Sequence, residues 1–253
     1  MCELFGAAGT YARDLGRWLV PFRARGGETA GNPDGWGVAA WTSGVMQIEK
    51  APEPGASSTR LAWLAQNLRA QIVIAHVRKA RHPPVPGLHN THPFAHTCCG
   101  REWVFAHNGL VPDIIGVQTQ PDFCRPRGET DSEHAFCHLL AQIAGCYQGA
   151  TNGDWMRRLA QLAGSVAALG KFNFLLSDGV LLIAYGHDRL HYLENPAGCD
   201  DLALVSTEPI TGEPWHAFGR GELRVYRGGI LALQVMSASE EAAVCGGDAS
   251  APS

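Results

Sequence analysis

The sequence predicts an α+β fold in which helices pack outside antiparallel sheets. Segments of strand character stand near both ends of the chain, segments with apolar residues at helical spacing lie between them, and short polar turns join neighbouring strands. Short turns connect antiparallel strands, and helices that are grouped together favour separate layers of helix and sheet over an alternating β/α fold.

Strands dominate the first part of the chain. Residues 1–9 form a short apolar strand, and residues 36–41 and 45–50 form a hairpin that turns at residues 42–44. Residues 10–34 are rich in Gly, Arg and Pro and show little periodicity, which predicts a long loop. Loops of this length are uncommon unless they serve a function, so we expect this one to close over a substrate.

Three helices are predicted in the middle of the chain. Apolar residues at helical spacing place the first over residues 59–70, and it leads into an apolar strand at residues 72–77. Thr130 and Glu133 have the spacing of a capping box and mark the start of the second helix. Asp154 is expected to cap the third helix.

Six strands are predicted after the helices, and Asp178 with Gly179 is typical of a hairpin turn. From residue 237 onward the chain is small, polar and acidic, which predicts a disordered tail at residues 237–253. We therefore expect one compact domain over residues 1–236. The six strands cover residues 173–177, 180–185, 190–194, 202–206, 223–226 and 230–235.

The composition argues against two classes of partner. The 253 residues carry a net charge of −4, and Lys and Arg are scattered, so we expect no binding of nucleic acid. No apolar stretch approaches the roughly 20 residues that span a bilayer, and charged residues stand near the N-terminus, where a signal peptide is apolar. We therefore expect a cytoplasmic protein with no membrane partner, and nothing in the sequence calls for a cofactor.

The eight cysteines show no CxxC pair and no regular spacing. The sequence thus indicates neither a zinc ribbon nor a disulfide framework, and most thiols are expected to be reduced. A metal-binding alternative arises because five potential ligands occur within eleven residues. Adjacent cysteines are poorly placed to chelate one tetrahedral zinc ion, so we expect no metal site. The five ligands are His89, His92, His96, Cys98 and Cys99.

Cys2 is the first candidate for a catalytic residue, because it directly follows the initiator methionine. Removal of Met1 would leave a cysteine that carries both a thiol and a free α-amino group. An α-amine has a pKa of about 7.7 to 8.0 and a free thiol one of about 8.5, so the amine can accept the thiol proton near neutral pH. The alternative is that position 2 simply holds a small residue.

Polar or glycine residues stand at the start or the end of several predicted strands. Gly35 and Gly37 flank Trp36 at the start of one strand and allow close backbone approach. Arg78 ends another strand and presents a guanidinium group that suits a substrate carboxylate.

Three more residues are candidates for the functional site. Asn108 and Gly109 end the strand at residues 105–109, and their N–H groups suit an oxyanion hole. Asp131 stands at a helix start, where it either binds a substrate ammonium group or stabilises the helix terminus.

These segments, in this order, resemble the class II glutamine amidotransferases, and the opening residues resemble the small single-domain branch of that family. The resemblance covers residues 1 to about 235, the predicted glutamine amidotransferase type 2 domain. Further motifs that carry it are Met1-Cys2-Glu3-Leu4-Phe5-Gly6, Asn90-Thr91-His92-Pro93-Phe94, Asn173-Phe174-Leu175-Leu176-Ser177-Asp178-Gly179 and Val205-Ser206-Thr207-Glu208-Pro209.

The resemblance implies a four-layer αββα sandwich of the N-terminal-nucleophile hydrolase type with two antiparallel sheets. It also implies a role for each candidate residue, and leaves His76 and His107 as structural. The implied roles are nucleophile for Cys2, oxyanion hole for Asn108 and Gly109, binding of the substrate α-carboxylate for Arg78, binding of its α-ammonium group for Asp131, and a place near the substrate for His92 and Trp36.

The implied reaction is hydrolysis of the γ-amide of glutamine, or of a γ-glutamyl compound, through a γ-glutamyl thioester. The predicted domain uses nearly the whole chain, so we expect either a stand-alone hydrolase or a glutaminase subunit that delivers ammonia to a separate synthase. A binding module that has lost catalysis is disfavoured, because all the candidate residues are present.

One position departs from the family pattern. Many members have a threonine three residues after the arginine that binds the carboxylate, whereas this chain has Arg81 followed by a proline-rich segment at residues 82–87. We expect substrate contacts to differ there, with Arg81 favouring a larger or more anionic γ-glutamyl donor.

Overall fold

The computed structural model describes residues 2–81, 83–84, 86–117, 123–149 and 153–237, which form two antiparallel sheets and four α-helices. The helices are α1 (Gly16–Ala24), α2 (Thr59–Asn67), α3 (Asp131–Ala144) and α4 (Asp154–Ala167). The strands are β1 (Glu3–Asp14), β2 (Trp36–Thr42), β3 (Val45–Ala51), β4 (Arg69–Val77), β5 (Phe94–Cys98), β6 (Arg101–Leu110), β7 (Lys171–Ser177), β8 (Leu181–Gly186), β9 (His191–Glu194), β10 (Leu202–Ser206), β11 (His216–Ala217), β12 (Glu222–Arg227) and β13 (Ile230–Met236).

The two sheets lie between two pairs of helices. The first sheet has the strand order β11-β9-β10-β1-β4-β2-β3, and the second has the order β13-β12-β8-β7-β6-β5. Separate apolar clusters join α1 and α2 to the first sheet, the two sheets to each other, and α3 and α4 to the second sheet. This arrangement confirms the predicted four-layer αββα sandwich.

The side chains of β1 show how one strand serves two layers. Phe5 and Ala7 belong to the cluster under α1 and α2, whereas Leu4 and Ala8 belong to the cluster between the sheets. Successive side chains of a strand point to opposite faces, so a strand buried on both faces is apolar throughout. The first strand is therefore a central one, paired with β4 and β10.

Most of the predicted elements are confirmed by the structure. The hairpin of β2 and β3 turns at Ser43 and Gly44, and all six late strands are present. Thr130 caps α3, since its side chain accepts a hydrogen bond from the backbone N–H of Glu133 at 3.2 Å. Asp154, however, is the first residue of α4 and does not cap it, because Gly153 occupies the N-cap position.

The prediction of a loop at residues 10–34 is wrong for residues 10–24. β1 continues to Asp14, and α1 follows, with the side chains of Trp18 and Phe22 buried. The apolar residues of this stretch do recur at helical spacing, but Pro21 lies inside the helix and concealed the pattern. The first predicted helix is also shorter than expected, ending at Asn67 so that β4 can begin at Arg69.

Two further features were not foreseen. The short strand β11 forms one edge of the first sheet, and the short strand β5 forms one edge of the second. Cys124 and Cys137 form a disulfide, although the sequence indicated no disulfide framework. The thiols of Cys2, Cys98, Cys99, Cys146 and Cys199 are free.

Met1 and residues 238–253 lie outside the described residues, so the predicted tail stays a prediction. No helix in the described part of the chain is long and apolar enough to cross a membrane.

Candidate active site

Four segments of the chain meet at one pocket. β1 begins opposite the end of β4, where Glu3 pairs with Val77. The residues just beyond this pair, Cys2 and Arg78, therefore lie at the same edge of the first sheet. The end of β6 and the start of α3 reach the same place. The pocket is lined by Cys2, Arg78, Lys79, Arg81, His92, His107, Gly109, Leu110, Thr130, Asp131 and Ser132.

The thiol of Cys2 is held by the main chain of Lys79. Its Sγ accepts a hydrogen bond from the backbone N–H of Lys79 at 3.2 Å and lies 3.4 Å from the carbonyl oxygen of the same residue. Burial raises the pKa of the Cys2 thiol, an effect that the Lys79 N–H and the positive charge of Arg78 oppose. A thiol with a raised pKa needs a nearby base before it can act as a nucleophile at neutral pH.

The loop before β2 fixes the position of Arg78. The backbone N–H of Arg78 donates to the carbonyl of Gly35 at 2.7 Å, and the Arg78 carbonyl accepts from Asp34 at 3.0 Å. The Asp34 carboxylate also accepts the backbone N–H of Ala80 at 2.8 Å. The side chain of Arg78 is buried, and one of its Nη atoms donates to the carbonyl of Pro83. Arg78 is thus held at the end of β4, where it lines the pocket.

Asn108 is the second polar group beside the nucleophile. Its Nδ2 donates a hydrogen bond to the backbone carbonyl of Cys2, and the residue is fully enclosed. The Nδ2 of Asn173 donates to the backbone carbonyl of Asn108 at 3.1 Å and lies 3.5 Å from the side-chain Oδ1 of the same residue. The Oδ1 of Asn173 in turn accepts the backbone N–H groups of residues 187–189. Asn108 is therefore held through both its main chain and its side chain by a neighbour that is itself hydrogen-bonded.

Gly109 lines the pocket next to Asn108, and only glycine fits this position. A Cβ atom placed there would overlap the carbonyl oxygen of Lys171 on the neighbouring strand β7 and would crowd the ring of His107. The missing side chain leaves the backbone of Gly109 open toward the pocket.

Asp131 is buried at the N-terminus of α3 and lines the pocket. One oxygen of its carboxylate accepts the backbone N–H of Val111 at 2.7 Å, and the other accepts the backbone N–H of Ser132 at 2.9 Å. These bonds fix the position of the carboxylate at the helix start. Asp131 thus stands at the helix start and at the pocket lining that it shares with Arg78, and its binding of a substrate ammonium group stays a prediction.

Three buried histidines lie at the pocket: His92 and His107 line it, and His76 lies beside His92. The rings of His76 and His92 lie 4.2 Å apart between centroids, and the ring of His107 bonds to Ser132 at 2.8 Å and to the carbonyl of Lys171 at 3.1 Å. A carbonyl accepts only, so Nε2 of His107 carries a proton and Nδ1 accepts from the Ser132 hydroxyl. Burial lowers the pKa of all three rings, that of His76 to about 3.

We expect the protein to lose stability on acidification because of these histidines. Between the folded pKa of about 3 for His76 and its ordinary value of 6.5, the unfolded chain binds the proton and the folded chain does not. Stability therefore falls as the pH falls, by about 2 kcal/mol from pH 7 to pH 5 for this one ring. Urea unfolding at the two pH values should show a smaller loss for His76→Phe, and an unchanged loss for the exposed control His216→Gln.

A buried carboxylate anchors the chain next to the nucleophile. Glu3 accepts a hydrogen bond from the hydroxyl of Thr207, and Arg189 donates to it at 3.2 Å. Arg189 also binds Glu208 at 2.6 Å, and the backbone N–H of Thr207 donates to Leu4 at 3.1 Å. The motif at residues 205–209 thus holds the start of β1, which carries Cys2.

Of the two predicted contacts Trp36 and Arg81, the structure places only Arg81 at the pocket lining. The indole of Trp36 is buried, donates to Glu53 at 3.3 Å, and is not among the residues that line this pocket. Arg81 is exposed and lies at the pocket lining. Gly37 does allow close backbone approach, since a Cβ there would overlap the carbonyl of His92.

Sequence reasoning missed several residues that the structure brings to the site. His107 lines the pocket, although a purely structural role was expected, and Ser132 contacts both His107 and Asp131. Asn173 was noticed only as part of a motif. Its position opposite Asn108 in the register of β6 and β7 becomes visible once the strands are paired.

The sequence matches a known protein family and curated relatives. The model of the family described as glutamine amidotransferases class-II matches residues 1–199. Among curated proteins, YafJ of Escherichia coli strain K12, whose name marks it as a proposed glutamine amidotransferase, is 34% identical in an alignment of 253 positions that covers 89% of this chain and 97% of YafJ. A Haemophilus influenzae protein named in the same terms is 28% identical and covers 96% of this chain, with 90% of its own length matched.

Solved structures show the same fold. The crystal structure of a predicted glutamine amidotransferase from Pseudomonas aeruginosa PA01 matches with a TM-score of 0.69 and 28% identity, over 92% of this chain and 100% of that one. The glutamine phosphoribosylpyrophosphate amidotransferase of B. subtilis matches with a TM-score of 0.66 over 94% of this chain and 49% of that one. Its identity of 15% supports the fold alone.

Proposed function

This chain belongs to the class II glutamine amidotransferases, and from that membership we propose that it hydrolyses the γ-amide of glutamine or of a γ-glutamyl compound, with Cys2 as the nucleophile. The observation that carries the proposal is the pocket itself. It combines a thiol, a buried arginine and a buried carboxylate, which are the groups that a γ-glutamyl substrate requires.

The two charged side chains account for recognition of the glutamyl end. The guanidinium group of Arg78 binds the α-carboxylate, and the carboxylate of Asp131 binds the α-ammonium group. Both are buried, so each interaction is stronger than it would be at the surface. A substrate held at its α-carbon in this way presents its γ-amide to the rest of the pocket.

The reaction starts from Cys2 with its α-amine free, that is, after removal of Met1. The α-amine accepts the thiol proton, and the thiolate attacks the amide carbon to form a tetrahedral intermediate. The Nδ2 of Asn108 and the backbone N–H of Gly109 stabilise the negative oxygen of this intermediate. The protonated amine then gives its proton to the departing ammonia or amine, which leaves a γ-glutamyl thioester on Cys2. Water hydrolyses this thioester, with the same amine as base.

Arg81 is proposed to select the donor. It is exposed at the pocket lining, where the leaving group of a larger γ-glutamyl compound would lie. We expect Arg81→Ala to lower kcat/KM for donors with an anionic leaving group by about 5-fold to 10-fold, the loss of one partly exposed charge pair, and to leave glutamine unaffected. Equal changes for both kinds of donor, or none, would contradict this role.

Intact mass spectrometry with a glutamine-like diazo-ketone tests the proposal. The expected mass shows the loss of Met1 and a single adduct, which peptide mapping places on Cys2. Glutamine in excess should protect the thiol, whereas aspartate should not. An N-terminus that retains Met1 and gains no adduct would exclude the mechanism. A glutaminase rate that rises only with a co-purifying protein would instead favour a subunit that supplies ammonia to a separate synthase.

A further inference from the structure

Three potential metal ligands converge between β5 and α3, and none of them lines the pocket that holds Cys2. Nε2 of His96 and the Sγ atoms of Cys124 and Cys137 all lie within 4.8 Å of one another. Within the part of the chain that the structure describes, this is the one such group of three or more ligands. Of the five potential ligands noted in the sequence at residues 89–99, only His96 belongs to this group.

Glu133 is the candidate for a fourth ligand. Oε1 of Glu133 lies 3.2 Å from Nε2 of His96, and Sγ of Cys137 lies 3.8 Å from the same nitrogen. Glu133 and Cys137 are four residues apart in α3, so their side chains share one face of the helix. His96 reaches them from β5, and Cys124 comes from the segment before the helix.

The two distances from Nε2 of His96, to Oε1 of Glu133 and to Sγ of Cys137, match edges of a zinc tetrahedron. Zinc bonds of about 2.0 to 2.1 Å to nitrogen or oxygen and about 2.3 Å to sulfur give tetrahedral edges of roughly 3.4 Å between N and O and roughly 3.6 Å between N and S. The distances from His96 to Glu133 and to Cys137, 3.2 and 3.8 Å, are each within a few tenths of an ångström of these edges. The sulfur of Cys124, which is bonded to that of Cys137 in this structure, has to move, and the Glu133 carboxylate has to turn toward the two sulfurs.

The surroundings suit a structural metal ion. Cys124 and Cys137 are 6% and 1% exposed, and the side chains of His96 and Glu133 are 10% and 3% exposed. The second oxygen of Glu133 accepts the backbone N–H of Gly128 at 2.7 Å, which orients the carboxylate as an outer-shell partner would. Glu133 also lines a surface groove, which gives an ion a route from solvent.

We propose that His96, Cys124, Glu133 and Cys137 bind one zinc ion when the two cysteines are reduced. Four protein ligands leave no open position, so the site is structural and not catalytic. The ion ties the segment that contains Cys124 to β5 and to the first turns of α3. Because α3 begins at Asp131, the site stabilises the helix start that reaches the candidate active site. It does not depend on the reaction proposed for Cys2.

The disulfide is the oxidised, metal-free state of the same four residues. A dithiol reductant transfers two electrons and two protons to the Cys124–Cys137 bond and is itself oxidised to a disulfide. Zinc then binds the two thiols as thiolates and releases two protons to solvent. A reducing compartment, which we expect for this protein, favours the zinc-binding form.

Cobalt substitution of the reduced full-length protein tests the site. The protein is reduced with a phosphine, freed of metal by a chelator, and titrated with Co²⁺. We expect one equivalent to produce the intense visible bands of tetrahedral cobalt together with sulfur-to-cobalt charge transfer in the near ultraviolet, and one equivalent of Zn²⁺ to abolish both. Native mass spectrometry should show one zinc ion per chain.

Variants identify the ligands. Cys124→Ala and Cys137→Ala should each lose the charge-transfer band or halve it, and zinc affinity should fall by about 100-fold or more, because each variant removes an atom that binds the metal directly. Cys146→Ala, which removes a free thiol outside the cluster, should retain the wild-type spectrum. Wild-type protein that binds no cobalt, or binds it without sulfur ligation, would overturn the proposal, whatever the variants do. Unchanged stoichiometry and affinity in both cysteine variants would overturn it as well.

Discussion

Replacing Cys2 with alanine is expected to lower kcat/KM for glutamine hydrolysis by about 10⁴-fold or more, because no other group can form the thioester. The fold should not change. The Cys2 thiol is hydrogen-bonded to the main chain of Lys79 and to no charged side chain, so an alanine leaves no ion pair broken among the residues that the structure describes. Glutaminase kinetics and circular dichroism together measure both effects. Cys199→Ala, which removes a free thiol elsewhere, is the matched control and should retain wild-type activity.

The same residue allows a separate test of the base. Burial raises the pKa of the Cys2 thiol, so a thiolate requires a proton acceptor in contact with it. A cleavable fusion that ends directly before Cys2 keeps the thiol but blocks its amine as an amide. We expect the uncleaved fusion to be inactive and the cleaved protein to recover full activity. An uncleaved fusion with normal activity would show that another group acts as base.

Much of the fold follows from local sequence patterns. The turn at Ser43 and Gly44 and the cap at Thr130 depend on residues close together in the chain, and both are predictable. α1 was missed for a local reason too, since Pro21 and a glycine at its start suggested a loop. Burial of Trp18 and Phe22 against the first sheet stabilises this helix despite its unfavourable residues.

The candidate site was only partly predictable. Cys2, Arg78 and Asp131 carry their chemistry in their side chains and could be recognised one at a time. The role of Asn173 could not, because it consists of hydrogen bonds to Asn108 and to the backbone of residues 187–189. Contacts of this kind depend on strand pairing across long stretches of chain. The group formed by His96, Cys124 and Cys137 is non-local for the same reason.

The second large effect is expected at Asn108. Asn108→Ala removes the proposed side-chain donor to the oxyanion, and kcat should fall by about 10² to 10³-fold. The KM for glutamine should change little, since Arg78 and Asp131, which hold the substrate, are untouched. Steady-state kinetics separate the two parameters. Asn67→Ala, whose side chain bonds only to its own helix at the surface, is the control and should leave both unchanged.

A variant of the neighbouring residue distinguishes positioning from simple loss of structure. Asn173→Asp keeps the Oδ1 that accepts the backbone N–H groups of residues 187–189, but it replaces the donor to the Asn108 carbonyl with a second acceptor. It also places a carboxylate beside Asp188, whose Oδ1 now accepts from Asn173 at 2.7 Å. Because Asn108 then loses its fixed orientation, kcat should fall while KM and labelling of Cys2 by the diazo-ketone persist. A variant with normal kcat would show that Asn108 is oriented without Asn173, and equal losses in kcat and labelling would indicate a general collapse of the pocket.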